Sequence, residues 1–393
     1  MRWRYGVALK ATTVACLATM LGSCSRTVEL EPPPTGVPVI RVLLFDRLET
    51  AKVTIRGSYE ILVAGEAQEP RQLDAGSELS SQRVRALGGD VLVDGIIRTP
   101  CAVHFVPARV PVEVNGRRYR GSLLVSPADG KLRIVNLVDL EGYLRGVVPC
   151  EVYKDWPEEA LKAQAIAART YALAKMAERD DQPAHVRPTV ADQVYGGFDK
   201  EDPRTTAAIA ATAGQALHYG HEPFVAYYHA CCGGTTADAV KALDDRTSPL
   251  RGALCGYCTK CPRYQWSFRI SRSELARKLG EGELKSLSLH EVGLDGRVGR
   301  VVLHLTDGNT KPMSGPEFRR RVGTWRTLRR PAGMFSTRFT VKADGSGFLF
   351  QGHGWGHGVG MCQWGAKGMA EADKTCEEIL ENYYPGAEVR KAY

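Results

Sequence analysis

Long apolar runs are scarce in this 393-residue sequence. The run over residues 11–21 falls far short of the roughly 20 residues a helix needs to span a bilayer. Dense clusters of Lys and Arg are also missing. The formal net charge of +8 favours an anionic surface or polymer, but without such clusters a dedicated nucleic-acid binder is excluded. No internal repeat or low-complexity tract is visible, which removes solenoid and array architectures. What remains, with 44% hydrophobic and 24% charged residues, is an ordinary globular composition, and the length suits two or three domains with a buried core.

The first residues, "MRWRYGVALKATTVACLATMLGSCSR", combine a basic start with a short apolar run, the pattern of an export signal. The run ends in Leu21-Gly22-Ser23-Cys24, which resembles the bacterial lipobox, so residues 1–23 are expected to be a lipoprotein-type leader and Cys24 the lipidation site. The alternative is a simple secretory leader cut nearby. Either reading makes the protein exported to the cell envelope, held on the membrane by a lipid anchor in the first case. Residues 24–38, with "EPPPTGVP", read as a Pro-rich tether.

Export changes the meaning of the eleven cysteines, because oxidising compartments favour disulfides. With Cys16 in the leader and Cys24 at the lipid site, Cys101, Cys150 and Cys376 remain, together with a concentration at Cys231, Cys232, Cys255, Cys258, Cys261 and Cys362. This odd total leaves at least one cysteine unpaired or bound to metal. Cys255-x-x-Cys258-x-x-Cys261, preceded by His229 and Cys232, has zinc-ligand types, and a disulfide such as Cys232 with Cys258 stays open beside it.

Residues 39–125 alternate Val, Ile and Thr between Gly and Asn-Gly turns, which predicts a β-rich N-terminal region. Residues 126–265 carry the clearest helix, "DWPEEALKAQAIAARTYALAKMAERD", with Pro157 in its first turn, Asp155 or Trp156 at the cap and a core stripe at Leu161, Ala165, Ala168 and Ala172. A second helix is predicted from Thr205 to about Leu217. Residues 266–330 read as an inserted α/β module, and residues 331–393 as a C-terminal return of the core. The expected class is therefore mixed α+β, with the substrate cleft between these parts.

Three stretches carry candidate chemistry. Glu151, in "GVVPCEVYKDWP", is expected on a turn between a strand-like run and the long helix, where a carboxyl can serve as general acid and then base. On spacing alone a cap or surface charge is the more ordinary role. Lys162 and Arg169 are seven residues apart on the helix and nearly share a face. In "GHGWGHGVGMCQWG" (residues 352–365) glycines alternate with His353, Trp355, His357 and Val359. Extended, that stretch separates the two histidines by roughly 13 Å, too far for one metal, and it lacks the strand-turn-helix context of a dinucleotide site. It reads either as a sugar-binding wall or as a buried strand packed against other backbone.

Residues 140–173, "ADQVYGG" (191–197), "YYHACCGGTTADA" and "GHGWGHGVGMCQWGAKGMAE…EEILENYYPG" resemble the signatures of the SpoIID/LytB family, in order and over nearly all of the mature chain. The resemblance implies a peptidoglycan lytic transglycosylase. It makes Glu151 the acid/base that cuts between N-acetylmuramic acid and N-acetylglucosamine, closing a 1,6-anhydro ring on glycan strands stripped of peptide. It assigns Lys162 and Arg169 to sugar positioning and charge balance, and Tyr195, His353, His357 and Gln363 to the cleft, with Trp355 beside them. It requires no cofactor for the chemistry, and a zinc held by some relatives strengthens His229, Cys232 and Cys258 as structural zinc ligands. The alternative within the family is a non-catalytic enhancer of a cell-wall amidase. Cys150 departs from the small residue, such as Ser, found there in relatives.

Overall fold

The computed structural model describes residues 30–31, 35–63, 71–76, 79–93, 97–246, 250–326 and 331–393. The leader expected over residues 1–23 and Cys24 lie outside them. No helix among the described residues is long and apolar enough to cross a membrane.

Alternation of apolar and polar residues builds two six-stranded antiparallel sheets before residue 140. One runs Val39–Leu48, Lys131–Asp139, Ser122–Ala128, Val103–Pro107, Tyr59–Val63 and Arg71–Gly76 from edge to edge. The other runs Arg117–Tyr119, Val112–Val114, Thr50–Arg56, Leu79–Leu87, Asp90–Val93 and Ile97–Thr99. In Thr50–Arg56, Ala51, Val53 and Ile55 are buried, as period-two patterning requires. These inward residues join Ile40, Phe105 and Leu123 in one core cluster between the sheets.

The last strand runs straight into helix α1 (Leu140–Glu151), where Asp139 accepts a hydrogen bond from Gly142 N. Glu151 is thus the final residue of a helix, not part of a turn after a strand. Pro149 in the last turn lacks the N–H that would continue the ladder, but Tyr143, Leu144, Val147 and Val148 bury the inner face and carry the helix past it. They belong to the same cluster as the sheets.

Helix α2 (Glu158–Glu178) begins after Pro157, with Glu158 and Glu159 in its first turn. Leu161, Ala165, Ala168 and Ala172 are buried as the stripe predicts. The second helix is shorter than expected. Helix α3 (Pro203–Ala211) ends before Gly214, whose φ of 69° breaks the helical path. Residues Gln215–Tyr219 then form a strand paired with Glu388–Lys391 at the C-terminus. A single turn of helix, α4 (Ala239–Leu243), follows the Cys231–Cys232 pair.

A separate core forms around Trp266, Leu275, Phe318 and Phe350. It contains α5 (Arg272–Leu279) and α6 (Gly315–Val322), each capped by a serine, and the meander Leu284–Val292, Val298–Leu305 and Thr310–Ser314. The hairpin Phe339–Asp344/Gly347–His353 pairs with Gln265–Ser271, so this unit also takes in residues assigned from sequence to the C-terminal return. The chain then re-enters the core through α7 (Gln363–Ala370) and α8 (Cys376–Tyr383), the latter opened by a Thr375/Glu378 capping box.

Candidate functional site

Glu151 ends α1 with one carboxylate oxygen accepting the Val194 N–H at 2.7 Å. Burial raises its pKa, and that hydrogen bond opposes the rise. The C-terminal end of α1, which has no basic residue in its last turn, also disfavours a carboxylate. The group is therefore held toward the protonated form by its surroundings rather than by a neighbouring carboxylate.

The loop "ADQVYGG" is what places Val194. Gly196 N–H donates to Gly146 O at 3.0 Å, and the Tyr195 ring lies tilted by 39° against Tyr143 with centroids 5.0 Å apart. The approach needs a bare Gly146, where a Cβ would meet Tyr195 Cε2 at 2.6 Å. Tyr195 is 5% exposed and donates to Asn136 Oδ1; it locks this loop and is not open to a ligand. Gln193 links Tyr143, whose hydroxyl donates to its Oε1, to Tyr228, whose hydroxyl accepts from its Nε2 at 2.9 Å. Gln193 and the half-buried Tyr228, which lies near enough to Glu151 to interact electrostatically, were missed at the level of sequence. The signal was their place inside the two quoted motifs.

Gln363, expected to bind substrate in the cleft, lies behind Glu151 instead: its Nε2 donates to Glu151 O at 3.2 Å and to Gln164 Oε1 at 3.3 Å. It is buried and acts on the acid's backbone. Beside it Trp364 packs on Trp156 (5.4 Å) and Tyr153 (6.4 Å between centroids). Tyr153, two residues after the acid, is 60% exposed, so an aromatic surface flanks Glu151. Cys150 is half-buried, and burial pushes its thiol pKa up, with Glu151 adding to the rise, which disfavours the thiolate form.

Arg169 is corrected. It is fully buried, paired with Glu141 through Nε and Nη2 at 2.9 and 2.8 Å, and donates to Gln215 O and Ile209 O. No sugar reaches it. Lys162 pairs with Glu158 at 2.8 Å and Glu159 at 2.9 Å, and Glu159 accepts from Cys376 N at the start of α8. The side chain is committed there, not to Glu151.

The glycine-rich stretch is not an extended wall. Gly354, Gly356, Gly358 and Gly360 all have positive φ, and a Cβ on each would strike residues 227–232 or Arg297. Val359 is fully buried. His357 accepts from Val359 N at Nδ1 and donates from Nε2 to Tyr228 O at 3.0 Å, while burial lowers its pKa to about 4. It is a neutral structural histidine. Trp355, 41% exposed, is the one exposed side chain of this stretch, and His353 and Trp364 are half-buried. His353 lines a 670 Å³ cleft with Trp266, Arg263, Arg338 and Phe335.

The metal expectation changes membership. Cys232, Cys255, Cys258 and Cys362 bring their sulfurs within 4.8 Å of one another. His229 is not in this group: its Nδ1 donates to Val359 O at 3.0 Å, since a carbonyl can only accept, and its buried Nε2 has no partner among the described residues. Cys255 and Cys258 stand in the Cys-x-x-Cys-x-x-Cys run read from the sequence, whose third member, Cys261, is not in the group, whereas Cys362 lies far along the chain and gave no spacing signal.

Fold and site together define an α+β protein in which one desolvated carboxyl, held by a loop and a buried glutamine, stands beside an aromatic cluster whose Tyr153 is exposed. Comparison with known proteins supplies the family. The family model described as Stage II sporulation protein matches residues 128–219, the span of α1, the loop and α2. An uncharacterised protein of Brachyspira hyodysenteriae is 34% identical over 70% of this chain and 73% of its own length. Stage II sporulation protein D of Bacillus subtilis is 30% identical over 66% and 76%. The amidase enhancer of the same organism is 29% identical over 62% of this chain and 39% of itself. The chain belongs to the SpoIID/LytB family, and its function is a cell-wall one.

Proposed function

We propose that the protein is a lytic transglycosylase that cuts the glycan strands of peptidoglycan after their peptides have been removed. The observation that carries this reading is Glu151: a single carboxyl, desolvated and held by Val194, with its pKa raised by burial. A protonated carboxyl gives its proton to the glycosidic oxygen as the bond to muramic C1 breaks. The resulting carboxylate takes the proton of the muramic 6-hydroxyl as that oxygen bonds to C1. The proton balance closes on one group, with no water consumed, which distinguishes the reaction from two-carboxylate hydrolysis. Tyr153 and Trp364 offer ring faces to the apolar face of a flanking sugar. Export through the leader and anchoring at Cys24 place the enzyme beside its substrate in this reading.

The test is mass spectrometry of products from purified peptidoglycan, with and without prior amidase treatment. Anhydro-muramic ends that require the amidase and fall by at least about 10²-fold in Glu151→Gln support the proposal. The likeness to an amidase enhancer favours one competing reading, a non-catalytic partner of a wall amidase. Glycan binding without new ends from either protein, together with faster cleavage by an added amidase, selects it.

A further inference from the structure

Four cysteines of this chain converge from three separate stretches. Cys232 follows the strand Tyr228–His229, Cys255 and Cys258 lie in the loop before the inserted module, and Cys362 ends the glycine-rich stretch. All four are buried. The sulfurs of Cys232 and Cys258 are 3.5 Å apart, a contact rather than a bond. In a tetrahedral zinc site with Zn–S near 2.3 Å, neighbouring sulfurs lie about 3.8 Å apart.

Two further features point to charged sulfurs. Gly234 N–H donates to Cys232 Sγ at 3.3 Å, Cys232 N–H donates to Cys362 Sγ at 3.2 Å, and the Tyr383 hydroxyl lies 3.0 Å from Cys255 Sγ. Donors aimed at sulfur are the second shell that thiolate ligands take. The other feature is Arg297, 6% exposed, on the turn between two strands of the inserted module. It crosses to the core, where Nη2 donates to Cys232 O at 3.2 Å and the guanidinium packs against Gly358, on which a Cβ would strike it. Asp295 faces its Nε at 3.4 Å, yet Nε and Nη1 have no hydrogen-bond partner among the described residues. Thiolates at Cys232 and Cys362 would add to Asp295 the negative charge that this buried cation faces.

We propose that Cys232, Cys255, Cys258 and Cys362 bind one zinc ion as four thiolates, and that Arg297 is the cation by which the inserted module docks against this doubly negative centre. Binding releases four thiol protons to solvent, and no electron moves. The ion has no open position and is structural. Its position has a consequence for the acid, because Cys362 immediately precedes Gln363, whose amide holds the Glu151 carbonyl. The metal therefore fixes the loop 255–261, the module and the backbone behind the acid together.

The proposal is tested on the full chain purified without reductant or added metal. Elemental analysis should find about one zinc per chain. Cobalt exchanged into the site should give the thiolate charge-transfer and tetrahedral ligand-field bands of a sulfur-rich centre. Cys255→Ser and Cys362→Ser should each lower zinc affinity at least tenfold in competition with a chelator of known affinity. A metal-free protein lighter by two hydrogens for each disulfide, with these cysteines found as linked peptides, overturns the site. For Arg297, Arg297→Met should weaken zinc at least tenfold and Arg297→Lys should recover part of it. Limited proteolysis of the wild type should begin within residues 266–322 once chelator removes the ion. Unchanged affinity in Arg297→Met, or unchanged protection on chelation, overturns the docking role; the chelation arm stands even where the Met variant does not fold.

Discussion

Burial and the negative end of α1 act on Glu151 in the same direction, both favouring the protonated carboxyl, while the Val194 N–H opposes them. A folded-state pKa above the unfolded value means that stability from this group is fully present below the unfolded pKa and is lost as pH rises through the folded one. Glu151→Gln, which cannot ionise, should therefore raise the thermal midpoint at neutral pH and leave it unchanged below about pH 4. A midpoint that moves equally at both pH values would show a packing effect instead. In the proposed transglycosylase, turnover should fall on the same alkaline limb, as Glu151 loses its proton. The Arg169–Glu141 pair works in the opposite sense. Burial tends to raise the Glu141 pKa, but Arg169, Tyr393 and Gly214 N–H overcome it and hold the carboxyl below its ordinary value. Arg169→Met strands that charge, and should cost about 3–5 kcal/mol in urea unfolding. Adding Glu141→Gln should recover a large part, because the stranded charge goes with it. A double variant no better than the single would mean that the loss is one of packing.

At the scale of elements, α2 was legible because its alanine stripe repeats at helical spacing, and the N-terminal strands because they alternate. α1 was not, since Pro149 argues locally for a stop and only tertiary burial of Tyr143 and Leu144 overrides it. Glu151 itself came from the family resemblance; spacing favoured a surface charge. Arg169 and Lys162 were misjudged because helical position says which residues share a face but not what covers it. The glycine stretch is the clearest case. Alternation left two readings, a sugar-binding wall or a buried strand packed on other backbone, whereas positive φ at every second residue from Gly354 to Gly360 presses bare backbone onto residues 227–232 and Arg297. Gly360 is the tightest of these, with φ of 70° and a Cβ position 1.9 Å from Tyr227 O. Gly360→Ala should cost at least about 2 kcal/mol in chemical denaturation, and glycan binding should fall only as folded protein is lost. Gly345, in an open hairpin turn with φ of 55° and nothing within 4 Å of a Cβ, is the control: Gly345→Asn should be nearly neutral, since Asn tolerates the left-handed region. Equal losses at the two positions would remove the close-approach argument.

At the scale of the whole molecule, composition pointed to a break near residue 125, where strand-rich sequence gives way to helix. The physical core does not break there. Ile40, Phe105 and Leu123 from the sheets share one continuous cluster with Leu144 and Val147 of α1 and Leu161 of α2, whereas the module around Phe318 and Phe350 has a core of its own. A sequence records which residues are apolar but not which apolar faces meet, so a domain boundary drawn from patterning divides what packing joins. The acid's helix then depends on the sandwich for its position, and the module depends on local contacts and on its docking at Arg297. Leu144→Ala tests this division. Leu144 is fully buried, and the truncation should cost about 2–5 kcal/mol. Hydrogen exchange should quicken in α1 and also in the strands Lys131–Asp139 and Ser122–Ala128, because one cooperative unit loses stability everywhere at once. Protection in Val298–Leu305 of the module should change little. Exchange that quickens in α1 alone would instead make the sandwich an independent platform, and would place the boundary where the composition changes.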